Sequence, residues 1–213
     1  MTVAPAAHGV SPRHGHAALL AVAALMVFAA TALWLQWARQ DLDWVQATLS
    51  LYLHGPGGLA LRSAYCALAV AIMLLAWSLY AGSRSPRRSS AAPLLFCVAG
   101  LGLMGVAIGD SWLPALAPLV APLVHGLAAN TAFLCVSAGM LLQSWYLRAD
   151  PQWSRWAAPA WWWAWGCFVL LWLHVLWRGP PRGAGQKLVI AAVVVWLLGV
   201  ALCQWRHARR RAG

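Results

Sequence analysis

The sequence predicts an all-α fold: a polytopic transmembrane bundle of six spans with both termini cytoplasmic. Three observations carry this expectation. Hydrophobic residues make up 62% of the chain and charged residues only 9%, proportions outside the range of a soluble domain. The apolar residues gather into runs of about 18 or more, long enough to cross a hydrocarbon core of roughly 30 Å as helices. The basic residues fall unevenly, dense in alternate interhelical segments and sparse in the others.

The first span covers about residues 16–37, behind Arg13 and the histidines His8, His14 and His16. Arg13, an apolar run and the small residues from Phe28 to Ala32 also fit a cleavable signal peptide. The run continues through Leu33, Trp34 and Leu35, however, which predicts an uncleaved helix. The second span, about 59–81, follows the helix-breaking cluster Gly55-Pro56-Gly57-Gly58. The third, about 91–109, carries Gly102, Gly105 and Gly109 on one face, and small residues at this spacing let a neighbouring backbone approach closely. The fourth, about 122–146, starts at Pro122, a residue suited to the first helical turn because its missing N–H has no helix partner there. The fifth, about 157–177, opens on Trp161, Trp162, Trp163 and Trp165, an interfacial aromatic belt, and the sixth covers about 187–205. These spans use most of the chain, so residues 1–213 are expected to form a single integral membrane domain. Segment 41–54 is too polar to span and too apolar for a free loop. As a helix it would put Asp43, Gln46, Ser50 and His54 in one polar stripe, which predicts an interfacial or re-entrant segment.

Short cytoplasmic loops collect Lys and Arg. With the N-terminus inside, ten basic residues lie on the cytoplasmic side: Arg13, Arg84, Arg87, Arg88, Arg148, Arg155, Arg206, Arg209, Arg210 and Arg211. Five lie outside: Arg39, Arg62, Arg178, Arg182 and Lys187. This bias and the anionic headgroups of the membrane account for the net charge of +11, so membrane lipids are the expected partners and no nucleic acid is. The cysteines Cys66, Cys97, Cys135, Cys167 and Cys203 fall one to a span from the second to the sixth, without a CxxC, and predict no disulfide frame or zinc knuckle.

Ionisable groups at the membrane edge are expensive and therefore candidates for function. In this topology His54, His125 and His174 all map to the extracytoplasmic end of the bundle, as do Asp41, Asp43 and Asp110. The candidate polar site is Ser50, His54, Asp110, His125 and His174, with Arg62 as the expected ion partner of Asp110. Asp110 and His125 bracket a stretch containing Pro114, Pro118 and Pro122, read as a hairpin in which the prolines prevent a continuous helix.

Four segments together resemble a known family: Ser50-Leu-Tyr52-Leu-His-Gly55-Pro-Gly-Gly58 after the first span, Gly105-Val-Ala-Ile-Gly109-Asp110 closing the third, His125-Gly126 opening the fourth, and Gly185-Gln186-Lys187 before the last. In order and spacing they resemble the prokaryotic membrane family catalogued as domain of unknown function 998, over about residues 16–205. The resemblance implies a six-helix bundle of the plasma (inner) membrane of a prokaryote and directs attention to Ser50, Asp110 and His125. It supplies no reaction. In such proteins an acidic residue and an arginine usually precede the last span, where this chain has Gln186 and Lys187.

The expected function is an integral membrane protein with a polar pocket at the extracytoplasmic end that binds a lipid or small molecule, with no cofactor. The same residues also fit an intramembrane metal-dependent hydrolase acting on lipid. There His54, Asp110, His125 and His174 would be zinc ligands and Ser50 would position substrate. The Ser50/His54 spacing resembles the Ser-xxx-His of ceramidase-like membrane hydrolases, but no HxxxH follows late in the chain. An ion- or proton-coupled transporter is a further reading, although no acidic residue falls at mid-span. Haem ligation by two of the outer histidines is opposed by the lack of histidine deeper in the spans. With both termini inside, alkaline phosphatase fused after residue 88 stays inactive and fused after residue 115 is active; the reverse pattern would invert the bundle.

Overall fold

A single segment in hydrocarbon satisfies its backbone only as a helix, and the apolar runs of this chain do so. The computed structural model describes residues 12–85, 89–177 and 179–212. The helices are α1 (Pro12–Ala38), α2 (Gly58–Gly82), α3 (Ala91–Leu116), α4 (Ala121–Leu147), α5 (Ala157–Leu176) and α6 (Arg182–Ala212). All six are long and apolar enough to cross a membrane, as the sequence predicts. His8, Arg87, Arg88 and Arg178 lie outside the described residues, as do the side chains of Arg13 and Arg211.

The helices run up and down in chain order, each packed on its sequence neighbours, and α6 returns to pack against α1, closing a ring. Inside the ring, Phe28 of α1 meets the edge of Tyr65 of α2, and Phe96 of α3 stacks 6.2 Å from Trp196 of α6. The connections 39–57 and 117–120 and the start of α6 lie together at the end opposite the described termini. That end carries the polar residues discussed below.

The pairing of α3 with α4 is the most extensive in the bundle, and it depends on Gly102. A Cβ there would stand 2.8 Å from the Ala128 carbonyl oxygen and 2.9 Å from the Ala132 nitrogen. Backbone cannot yield as a side chain can, so the two helices approach this closely only across a glycine.

α3 departs from the expected span 91–109 by running on to Leu116 through Asp110 and Pro114. Pro114 sits in its last turn, where it removes a single helix bond, the one to the carbonyl of Asp110 four residues back. The prolines therefore do not keep Asp110 out of the helix. The connection to α4 shrinks to 117–120, and Pro122 falls in the first turn of α4. Residue 115 is accordingly helical, and a reporter placed after residue 119 tests the same topology from within the connection.

The helix expected over 41–54 does not form; the segment is a series of turns followed by one short 3-10 stretch, Leu49–Leu53. Locally, Asp43 Oδ1 accepts from the Val45 amide at 2.8 Å and Thr48 is extended. The decisive competition comes from the start of α6. The Ala184 amide donates to the Val45 carbonyl at 2.8 Å, and Gln186 Oε1 accepts from the Leu49 amide at 2.9 Å. The Lys187 ammonium donates to the Trp44 carbonyl at 2.7 Å and to Gln36, and lies 4.9 Å over the Tyr52 ring. These bonds take the place of a helical ladder. On the other flank Arg39 forks onto both oxygens of Asp41 at 2.7 Å and donates to the His54 carbonyl. The turn that follows needs glycine, because Gly55 and Gly57 both adopt φ 77°.

Gly102→Leu is expected to lower the thermal midpoint in detergent, by the equivalent of about 1–3 kcal/mol. Gly126→Leu, which meets open space, is expected not to. The hydrogen bond from Arg39 holds the Asp41 carboxyl below its ordinary value. Its contribution is therefore full above the ordinary carboxylate range and is lost as pH falls through the lowered value. Amide protection in residues 40–57 should decline below about pH 4, and Asp41→Asn should remove that acid-side decline.

Candidate functional site

The site grows from two helix ends. α3 and α4 are antiparallel neighbours joined by four residues, so the last turns of one lie beside the first turn of the other. Asp110 and His125 occupy these positions, and Nδ1 of His125 lies 2.9 Å from Oδ1 and 3.0 Å from Oδ2 of Asp110. An ionised carboxylate only accepts, so Nδ1 carries the proton that it receives. Nε2 is then the ring atom left for other partners. The Asp110 side chain is 12% exposed and that of His125 29%, a largely enclosed pair open along one side.

The 39–57 connection supplies the other wall. His54, at the end of the 3-10 stretch, places Nε2 3.8 Å from Asp110 Oδ2 and is about half exposed, which makes it a rim residue. Ser50 lies one turn earlier, with its Oγ 3.1 Å from Thr48 Oγ1. Between these residues is a cleft of about 300 Å³, walled by Ser50, Leu51, His54, Asp110 and His125 and by all three prolines, Pro114, Pro118 and Pro122. Behind it is a cavity of about 80 Å³ lined almost entirely by apolar side chains of α1, α2, α3, α4 and α6, among them Phe28, Tyr65, Ile72, Val106, Ala129 and Val193. Ser50 and His125 line both spaces, and Gln186 lines the inner one.

Four of the five residues expected in the polar site thus meet around one cleft. His174 does not. It sits in the last turn of α5 against the start of α6, its Nδ1 2.6 Å from where a Cβ of Gly185 would stand. The expected Arg62–Asp110 ion pair does not form either. Asp110 is engaged by His125 and His54, and Nε of Arg62 is buried without a hydrogen-bond partner. The extension of α3 explains this, since it places the carboxylate at the α4 seam. Among the described residues, no group of three His, Cys, Asp or Glu side chains has a geometry that could hold a metal ion, and of the four candidate ligands His174 lies apart from His54, Asp110 and His125.

Sequence reasoning passed over Gln186 and Lys187 as anchors of the connection, Thr48 as the neighbour of Ser50, and the prolines as walls. One signal was available for the anchors. The start of α6 holds Gly183, where a Cβ would lie 2.4 Å from the Ala47 carbonyl oxygen, and glycine in a helix start marks such an approach. Gln186 and Lys187 serve there as a neutral acceptor and a lysine that bond backbone and amide groups.

No curated protein and no solved structure matches the chain at a significant level. A family model matches residues 21–203, a stretch that begins within α1, ends within α6 and contains every residue of the cleft. The chain belongs to the family described as Protein of unknown function (DUF998).

Proposed function

We propose that the protein binds an amphiphile, a lipid or a lipid-like small molecule, at the end of the bundle away from its described termini. The polar part would lie in the cleft among Ser50, His54, Asp110 and His125, and the apolar part in the cavity behind. The observation that carries this reading is that the two spaces share Ser50 and His125, so a polar and an apolar compartment abut at one place. Binding sites for small molecules combine mostly apolar linings with a few placed polar groups in this way. The hydroxyl of Ser50, which has bonding capacity beyond its contact with Thr48, and Nε2 of His125 are the groups that would orient a headgroup. The positive-inside bias supports an extracytoplasmic position for this end in a plasma membrane, within reach of lipids of that leaflet.

Protein purified in mild detergent and extracted into organic solvent should yield one class of amphiphile in near-stoichiometric amount by mass spectrometry. His125→Ala should cut that occupancy by about tenfold or more, the scale of a lost hydrogen bond between charged or strongly polar groups. Ala129→Phe should exclude the ligand by filling the cavity. Equal lipid content in all three proteins would sink the reading.

A further inference from the structure

We propose that the cleft is also a reaction site. Ser50 is the nucleophile of an acyl transfer on an ester-bearing amphiphile, His125 its general base, Asp110 the residue that positions His125, and the Gln186 amide the donor to the oxyanion. This rests on the amphiphile reading, because the bound ligand brings the ester.

Four observations converge. Both oxygens of Asp110 engage Nδ1 of His125, so in its neutral form the ring presents the lone pair of Nε2, the arrangement in which a carboxylate holds a histidine as base for a hydroxyl. Ser50 and His125 stand where the cleft and the apolar cavity join, which is where the bond between a polar head and an apolar chain would lie. Either hydroxyl of the Thr48–Ser50 pair can be the donor. With Thr48 donating, Ser50 keeps its own proton for another acceptor in the cleft that it lines with His125. Finally, Oε1 of Gln186 is taken by the Leu49 amide, which fixes the side chain and leaves its NH2 group to the cavity that it lines with Ser50 and His125. A placed amide donor is the group that a developing carbonyl oxyanion needs.

The steps balance without a redox partner. Ser50 Oγ attacks the ester carbonyl carbon as Nε2 of His125 takes its proton, and the carbonyl π pair moves onto oxygen beside the Gln186 NH2. The tetrahedral carbon then collapses, the ester C–O bond breaks, and the leaving alkoxide takes the proton from Nε2. Water or a second alcohol attacks the acyl-Ser50 ester with its proton going to His125, and Ser50 Oγ leaves with that proton.

The test is labelling of the folded, detergent-purified protein with a long-chain alkyl fluorophosphonate, alongside measurement of its bound amphiphile. The expected result is one adduct per chain, mapped to Ser50 by peptide mass spectrometry and abolished in Ser50→Ala. His125→Ala should slow labelling by about 100-fold or more, the usual worth of a general base. Asp110→Asn should slow it and move the acid limb of its pH profile, whereas a purely structural role would lower labelling equally at every pH. The position of the wild-type adduct decides the matter even if a variant fails to fold. An adduct on another residue, or undiminished labelling of Ser50→Ala, overturns the proposal. A wild type that retains its amphiphile yet forms no adduct overturns acyl transfer and leaves binding standing. A Ser50 adduct on protein that carries no amphiphile supports acyl transfer and counts against the binding reading.

Discussion

A polar group sealed among apolar helices costs several kcal/mol unless another group answers it, and that constraint arranges both ends of this bundle. At the end of the described termini, Asp150 is 2% exposed and accepts from the amides of Arg84 and Gln152, from the Gln152 side chain and from Ser83 Oγ. One carboxylate thereby ties the α2–α3 connection to the α4–α5 connection. At the other end Lys187 and Gln186 bind the 39–57 segment to α6, and Arg39 braces that segment from within. The middle of the ring holds mainly aliphatic and aromatic side chains and is shaped by packing, including the close passage at Gly102.

The same constraint separates what was legible in the sequence from what was not. Hydropathy located α1, α2, α4 and α5 well, because their ends coincide with breakers such as Gly55-Pro56-Gly57-Gly58 and with charge, whereas α6 runs from Arg182 to Ala212, past both ends of the expected 187–205. It cut α3 short at Asp110 because an aspartate and a proline read locally as a stop. The aspartate is tolerated in the helix because His125, fifteen residues on, meets it. Likewise the polar stripe over 41–54 was a fair helical pattern, but it lost to hydrogen bonds from a segment 137 residues away. For the site, hydropathy reports depth along the bundle and not direction around the ring. Ser50, His54, Asp110 and His125 share a level and also a sector. His174 and Arg62 share the level alone, and nothing in hydropathy reports the sector.

The cleft itself is unusual in its lining. Three of its walls are proline rings, which bring shape and apolar surface but no N–H. Headgroup recognition therefore falls to a few side chains: Ser50, His54, His125 and the carboxylate behind them. A cleft so poor in backbone donors suits a ligand with few polar atoms placed close together, next to a long apolar portion. The chemistry proposed for Ser50 asks for the same thing, one ester at the boundary between the two compartments.

Pro114 carries a mechanical consequence as well. By denying an amide to the Asp110 carbonyl it leaves α3, at that one place, joined across successive turns by fewer hydrogen bonds than anywhere else along its length. Helices flex with least resistance at such points. The residue that presents its carboxylate to His125 thus sits at the weak joint of its own helix. A pull on that carboxylate loads the joint first, so the cleft can widen or narrow by bending a helix end while the Gly102 seam stays shut.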